Sequence, residues 1–349
     1  MKKTVSIFNN QTFGLPLEFE VDYYLGLKNI FRLYQDEIKP YIHPYEYNEI
    51  YEECEAILEC VAKYYEGFPQ QANQIFVEKI AHIIDSNSQF YNKSVLGIRY
   101  FDTLNLYRIR KKDQSRALKP TKGSIFHVPF HSRRKVLSTR YSIAGYPCLY
   151  LGTTIDLCRI ESDMKHSDAG YAAKYKMIRD FERNGIWIRV LDLATKPADL
   201  TPKFKIKNVD KDTFVENYLK MYPIIAASSV KANYRGPNYP FVPEYIFSQL
   251  IMQWLRTKQN GSSISGIRYF TSRSKNPRIK GYNYVFPTTS SATNDQVKSD
   301  YCEVLCKCFE LTEPFFAWDF ENCTEIEEQL KKMALSEFRG HRDTMLDVK

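Results

Sequence analysis

Between residues 21 and 85 apolar positions return every three or four residues, the period of an amphipathic helix. DYYLGLKNIFRLYQDEI keeps that period until Pro40, and YNEIYEECEAILECVAKYYEGF keeps it until Gly67 and Pro69. Glycine and proline are the residues that end helices, so two helices are predicted there. A third is predicted over QQANQIFVEKIAHIID. Their charged residues lie opposite the apolar stripe, as in a helical layer resting on another surface.

The pattern changes near residue 103. LNLYRIR, SIFHVPF, CLYLG, IWIRVLDL, GIRYF, YNYVF and EVLCKCFEL are short apolar or alternating runs, separated by Gly, Pro, Ser and Asn. That texture predicts strands. Helical stretches interrupt them near residues 154–161, 211–220 and 244–255. The expected class is α+β with a mixed or mostly antiparallel sheet. The expected division is a helical region over 1–102, a sheet-built core over 103–287, and a completing strand and helix over 288–349. CTEIEEQLKKMALSEF forms the last helix, and the polar tail GHRDTMLDVK is expected to fray.

Composition narrows the function classes. The chain of 349 residues is 44% hydrophobic, and its apolar runs, such as Ile224 to Ala227, are far shorter than a bilayer helix requires. MKKTVSIFNN has no apolar stretch of signal-peptide length, so a cytoplasmic protein with free thiols and no membrane association is expected. Lys and Arg number 49 against 41 Asp and Glu, a net charge of +8 that suits an anionic partner without naming it. Arg133, Arg134 and Lys135 form a basic cluster that supports a nucleotide- or nucleic-acid-binding reading, or equally a solvated surface.

Several chemistries lack their residues. Cys302, Cys306, Cys308 and Cys323 do not have the paired CxxC spacing of structural zinc, and the alternation in EVLCKCFEL would put Cys306 and Cys308 on one strand face. His127 and His131 in HVPFH lack the helical geometry of HExxH. No metal is expected. GxSxG, GxGxxG and GxxxxGK[ST] are all absent.

The segment from Leu106 to Ser162 holds the remaining candidates. Alternation places Tyr107 and Ile109 on one strand face, with Leu106 and Arg108 on the other. An arginine on an inward face needs an anion, supplied by a ligand phosphate or carboxylate or by a structural salt bridge. RYSIAGYPCLYLG carries Arg140 and Tyr141 through a Gly and Pro turn into a strand containing Tyr150. TTIDLCRIE begins as a helix capped by Thr153 or Thr154, with Glu161 two turns on. Alone, Glu161 is equally well an ordinary solvated carboxylate.

In combination these motifs resemble the RES domain family. YRI, FHVPF, RYSIAGYPCLYLG, a glutamate eleven residues after the strand tyrosine, EYIFSQLIMQWLR and GIRYFTS stand in the family's order over about residues 103–287. The resemblance implies an ADP-ribosyltransferase-like fold that binds and cleaves NAD, with NAD as substrate and no metal. It implies a toxin of a toxin–antitoxin module, with an Xre-like antitoxin protein as partner. It also implies one alternative, a transferase of ADP-ribose to an acceptor protein; a second alternative, an inactive nucleotide- or nucleic-acid-binding module that keeps the fold, rests on the +8 charge, the basic cluster and nearby aromatics. The family arginine corresponds to Arg108 and the glutamate to Glu161, with Arg140, Tyr141 and Tyr150 as NAD-binding candidates. Thr271 occupies the serine slot, with Ser272 beside it, and Tyr141 stands where many members carry tryptophan. The helical region before residue 103 lies outside the resemblance; it is read either as support for the core or as an antitoxin-like docking layer in cis.

Overall fold

The computed structural model describes residues 11–86, 105–112, 120–178, 185–196, 211–232, 241–258, 263–271, 273, 281–289 and 299–339. The chain begins with helices α1 (Tyr23–Ile38), α2 (Pro44–Tyr65), α3 (Pro69–Ile75) and α4 (Ala81–Ser86). It continues through β1 (Leu106–Lys111), α5 (Lys122–Ile125), β2 (Cys148–Gly152), α6 (Ile155–Glu161), β3 (Gly170–Met177) and β4 (Trp187–Asp192). Helices α7 (Lys211–Ser228) and α8 (Ile246–Thr257) follow, then β5 (Ser263–Tyr269) and β6 (Asn283–Pro287). The last elements are α9 (Glu303–Cys308), β7 (Phe309–Leu311), β8 (Phe315–Ala317), α10 (Cys323–Lys332) and β9 (Ser336–Glu337). The protein is α+β, and the strand pairs whose register is defined are antiparallel.

The chain forms two compact units, one of residues 1–95 and 191–255, the other of 96–190 and 256–349. Residues 191–255, which the sequence reading runs together with the sheet region, thus cluster with the N-terminal helices.

In the helical unit the ends of α1 and α2 follow from local chemistry. Asp22 caps α1 by accepting from the Tyr24 amide at 2.9 Å. His43 and Glu46 form a capping box on α2, with Pro44 in the first turn. Gly67, at φ +86°, turns the chain after α2. The third predicted helix is continuous but holds a π-helical turn at Phe76–Ile80 between α3 and α4. Buried tyrosines tie the helices together through their hydroxyls: Tyr34 donates to the Leu219 carbonyl at 2.8 Å and Tyr23 to that of Ala227 at 2.8 Å. Among the described residues no helix is long and apolar enough to cross a membrane.

The second unit carries a sheet in the order β4-β5-β6-β2-β1-β3-β7-β9, with β8 also paired to β3. Leu106, Leu149, Leu151, Tyr175 and Phe286 face a core closed by Ile125 of α5 and Leu305 of α9. Tyr107, Ile109 and Ala172 face the other way, onto Ile155 and Cys158 of α6 and Ile326 and Leu330 of α10. The expected alternation along β1 is therefore present, because each face of the strand buries its own apolar row.

Two predicted strands are corrected. SIFHVPF begins in the last two residues of α5 and ends at the first residue of a 3-10 turn, Phe130–Lys135, so it is not a strand. EVLCKCFEL divides into α9 and the short strand β7, so Cys306 and Cys308 do not share a strand face; two residues apart on a helix, they point about 200° apart. The nine-residue run satisfies both periods, and packing of Leu305 and Cys308 into the core selects the helix. Strands β3, β8 and β9 had no counterpart in the expected set. The tail from residue 340 lies outside the described residues.

His127 fastens the 3-10 segment to α9. Its Nε2 accepts from the Cys302 backbone amide at 2.8 Å, so its Nδ1 carries the proton and donates to the Val128 carbonyl at 2.8 Å. A second ring proton would remove that acceptor. Burial, the larger cause, and the charges of Arg108, Arg110 and Arg133 push the imidazole pKa down to about 3. The unfolded chain takes up this proton near pH 6.5, whereas the folded chain does so only near 3. Stability contributed by neutral His127 is thus present above about pH 6.5 and lost as pH falls towards 3, at up to about 1.4 kcal/mol per pH unit. Denaturant unfolding at stepped pH should show this slope, and His127→Gln should flatten it; an equally steep slope in the variant would refute the assignment.

Candidate active site

The sheet has a weak seam. Strands β1 and β3 are registered at six positions and β2 and β6 at five, but β1 and β2 share the single pair Tyr107 and Gly152. The candidate residues gather around this seam, where two half-sheets meet.

Gly152 explains how α6 reaches it. A Cβ at this position would stand 2.7 Å from the Cys158 Sγ. Its absence lets α6 lie close over the seam, where the Cys158 thiol donates to the Tyr107 carbonyl at 3.1 Å. Burial pushes that thiol up to about 12, so it remains a protonated donor. Thr154 is the N-cap, accepting from the Leu157 amide at 3.2 Å, and Glu327 of α10 accepts from the Ile155 amide at 2.7 Å. The Glu327 carboxylate at the N-terminus is favoured by the helix dipole, whereas a carboxylate at the C-terminus is not and needs donors of its own. Glu161 is the last residue of α6.

The Glu161 carboxylate meets two donors. Its Oε1 accepts from the buried Asn283 Nδ2 at 2.8 Å, and its Oε2 lies 3.5 Å from the Arg273 Nε. Asn283 stands opposite Gly152 on β2 and opposite Tyr269 on β5. Tyr269 is a hub of the site. Burial raises its phenol pKa most, Glu161, Tyr150 and Tyr141 raise it further, and Arg140 lowers it.

Tyr141 is fully buried, with its ring packed on Tyr269 at 4.7 Å between centroids. Arg140 is also buried. Tyr150 is partly exposed as a residue, while its hydroxyl is hydrogen-bonded to Thr139 Oγ1 at 2.7 Å and burial holds the phenol well above its usual pKa. Thr271 is half-buried just beyond β5, and its Oγ1 accepts from the Arg273 amide at 3.2 Å. Its hydroxyl therefore shapes the turn that carries Arg273. Ser272 lies outside the described residues.

Arg108 occupies the other side of the seam. The register of β1 puts it on the Leu106 face, whereas Tyr150, Asn283 and Tyr269 share the Tyr107 face. It is not part of the hydrogen-bond set around Glu161. Its Nη1 is buried without a hydrogen-bond partner among the described residues. Desolvation lowers its pKa, while nearby Tyr175, Cys158 and Tyr150 act in the opposite sense. An arginine remains charged in such a setting, so its vacant donor is a strong pull on any anion that reaches it.

Sequence reasoning did not single out Asn283, Arg273, Tyr269 or Thr139. Tyr269 was within the GIRYFTS motif and could have been found there. Asn283 gave a faint signal, as the one amide in the buried strand NYVFP. Arg133, Arg134 and Lys135 end the 3-10 turn, which buries none of its residues. Among the described residues no group of His, Cys, Asp or Glu could hold a metal ion.

An α+β protein with a carboxylate and a buried guanidinium beside a sheet seam is the class that fold and site define. Over 219 residues the chain is 27% identical to a Bacillus subtilis (strain 168) protein described as "Putative toxin YopC", covering 60% of this chain and 46% of that protein. The chain thus spans about half the length of this relative. No family model matches the chain, and no solved structure does.

The seam itself is testable. Gly152→Ala forces the Cys158 thiol away from Tyr107 or lifts α6. A stability loss of about 1–3 kcal/mol is expected from such overpacking, measured by denaturant unfolding. Gly67→Ala is the contrast case: its Cβ has open space but φ is +86°, so any loss there comes from backbone strain without crowding.

Proposed function

We propose that the protein is a toxin-like enzyme that cleaves the bond between nicotinamide and ribose in NAD. The observation that carries this reading is the Glu161 carboxylate held at the sheet seam by the buried Asn283 amide, with the vacant donor of Arg108 on the other face of the same seam. The ordered motifs shared with the RES family and the likeness to a relative described as a toxin support it.

The chemistry needs little else. Nicotinamide leaves NAD as a neutral ring, so no general acid is required. The ribose left behind gains oxocarbenium character as the bond lengthens. A carboxylate beside it stabilises the developing positive charge, which is the role given to Glu161. Arg108 takes the pyrophosphate or the phosphate-bearing ribose end, holding the substrate while the bond breaks. Arg140 supplies a second positive charge near Tyr269, and Tyr150 offers a ring at the seam. Tyr141, buried against Tyr269, supports the wall behind them. Thr271 acts through its turn, presenting Arg273 to Glu161.

The acceptor of ADP-ribose decides the product. Water gives hydrolysis, phosphate gives phosphorolysis, and a protein side chain gives ADP-ribosylation. NAD depletion by water or phosphate is the favoured reading, with an Xre-like antitoxin as the partner that restrains it.

The test is incubation of wild type and Glu161→Gln with NAD, with and without phosphate, resolving nicotinamide, ADP-ribose and ADP-ribose phosphate by chromatography. Glu161→Gln should release nicotinamide about 10²-fold more slowly or worse while still binding NAD. Equal turnover by the two proteins would end the assignment. For Arg108→Ala, calorimetry should show NAD affinity about 10- to 100-fold weaker, the loss expected for a charge-assisted hydrogen bond. Unchanged affinity would remove Arg108 from the binding role.

A further inference from the structure

Strand β6 is buried along its whole length, and Asn283 is its one amide side chain, set among Tyr284, Val285 and Phe286. A buried amide is costly unless its hydrogen bonds are met. Here the Nδ2 bond goes to the Glu161 Oε1. Neighbouring positions make room for that bond: Gly152, opposite on β2, has no side chain, and α6 comes down over it to bring Glu161 within reach.

The two carboxylate oxygens are held differently. Oε1 receives a short bond from a buried, neutral donor fixed on a strand. Oε2 faces Arg273 at 3.5 Å, and both side chains of that pair are partly exposed, 32% for Arg273 and 25% for Glu161. A long, solvent-screened ion pair contributes little and exchanges readily. An amide held in a strand does not exchange in this way. A buried neutral donor also differs from a buried cation in that it orients the carboxylate without cancelling its charge.

We infer that Asn283 is a positioning residue, which holds Oε1 of Glu161 so that Oε2 is the oxygen presented to the reacting ribose, with Arg273 as its exchangeable counter-ion. This rests on the NAD-cleaving reading above. As positive charge develops on the ribose it replaces Arg273 beside Oε2, and no proton or covalent bond changes hands at Asn283. Its contribution belongs to the transition state, so its loss lowers kcat more than it raises KM.

Two variants test this. Asn283→Leu removes the donor, and Asn283→Asp keeps the shape while placing a second carboxylate beside Oε1. Both, checked for folding by circular dichroism, should release nicotinamide from NAD at least about tenfold more slowly with KM within about twofold. In Asn283→Asp the acid limb of the rate profile should also move to higher pH, because two adjacent carboxylates oppose each other's ionisation. That shift would show that position 283 faces the carboxylate whose ionised form the rate requires, and the kcat-against-KM split separates positioning from a purely structural role. Unchanged kcat in both folded variants, or a loss confined to KM, would overturn the inference. A third readout needs no turnover: the melting-temperature shifts of Glu161→Gln and Asn283→Leu should fail to add in the double variant. If wild type is inert on NAD but the shifts are non-additive, the NAD reading falls and the hold of Asn283 on Glu161 stands. Additive shifts would remove that hold.

Discussion

The contact on which the candidate site depends is the close approach of α6 to the sheet over Gly152. At this point the ladder between β1 and β2 is reduced to one pair, and the carbonyl of Tyr107 takes its bond from a cysteine thiol on the helix. The same approach carries Glu161 to Asn283. Any side chain at position 152 would act on all three features together, because a packed interior transmits displacement instead of absorbing it. The helix is also fixed at its start by Glu327, so it has little freedom to yield.

The polar groups at the seam follow a consistent rule. Buried donors and acceptors here are matched by fixed partners: Asn283 with Glu161, Tyr150 with Thr139, the Tyr107 carbonyl with Cys158. Two groups break the rule: the Tyr107 hydroxyl and the Arg108 Nη1 are buried without a hydrogen-bond partner among the described residues. An unmatched buried donor is a cost to folding that a bound anion would relieve. Of the two, only Arg108 carries a positive charge, and that charge is what gives it its place in the proposed mechanism. The aromatic side chains play a different part. Tyr141 and Tyr269 pack on each other and seal the wall, whereas Tyr150 remains partly exposed.

Local sequence chemistry and tertiary packing contributed at different points. The helices of residues 21–85 were legible because amphipathic period, caps and glycine or proline breaks coincide there. The alternation of β1 was legible for the same kind of reason, each face having its own apolar row. EVLCKCFEL was not, since a nine-residue apolar run suits either period and the core decides between them. Strand β3 was missed because GYAAKYKM is small and charged in places; its Lys174 is buried by tertiary contacts, with Nζ donating to the Lys331 carbonyl at 3.1 Å.

For the candidate site the division is similar. Sequence by itself determined which residue types lie in which order: an arginine on an inward strand face, a tyrosine strand followed by a capped helix, and a glutamate at that helix's end. Each of these is a property of a short segment and its period. Only the tertiary structure decided which oxygen of Glu161 is held, by which strand, and that Arg108 stands on the opposite face of the seam. Asn283 is 122 residues from Glu161 along the chain, and Arg273 lies in a turn after a different strand. Contacts between segments so far apart depend on strand order and on the missing side chain at Gly152, and a one-dimensional pattern carries neither.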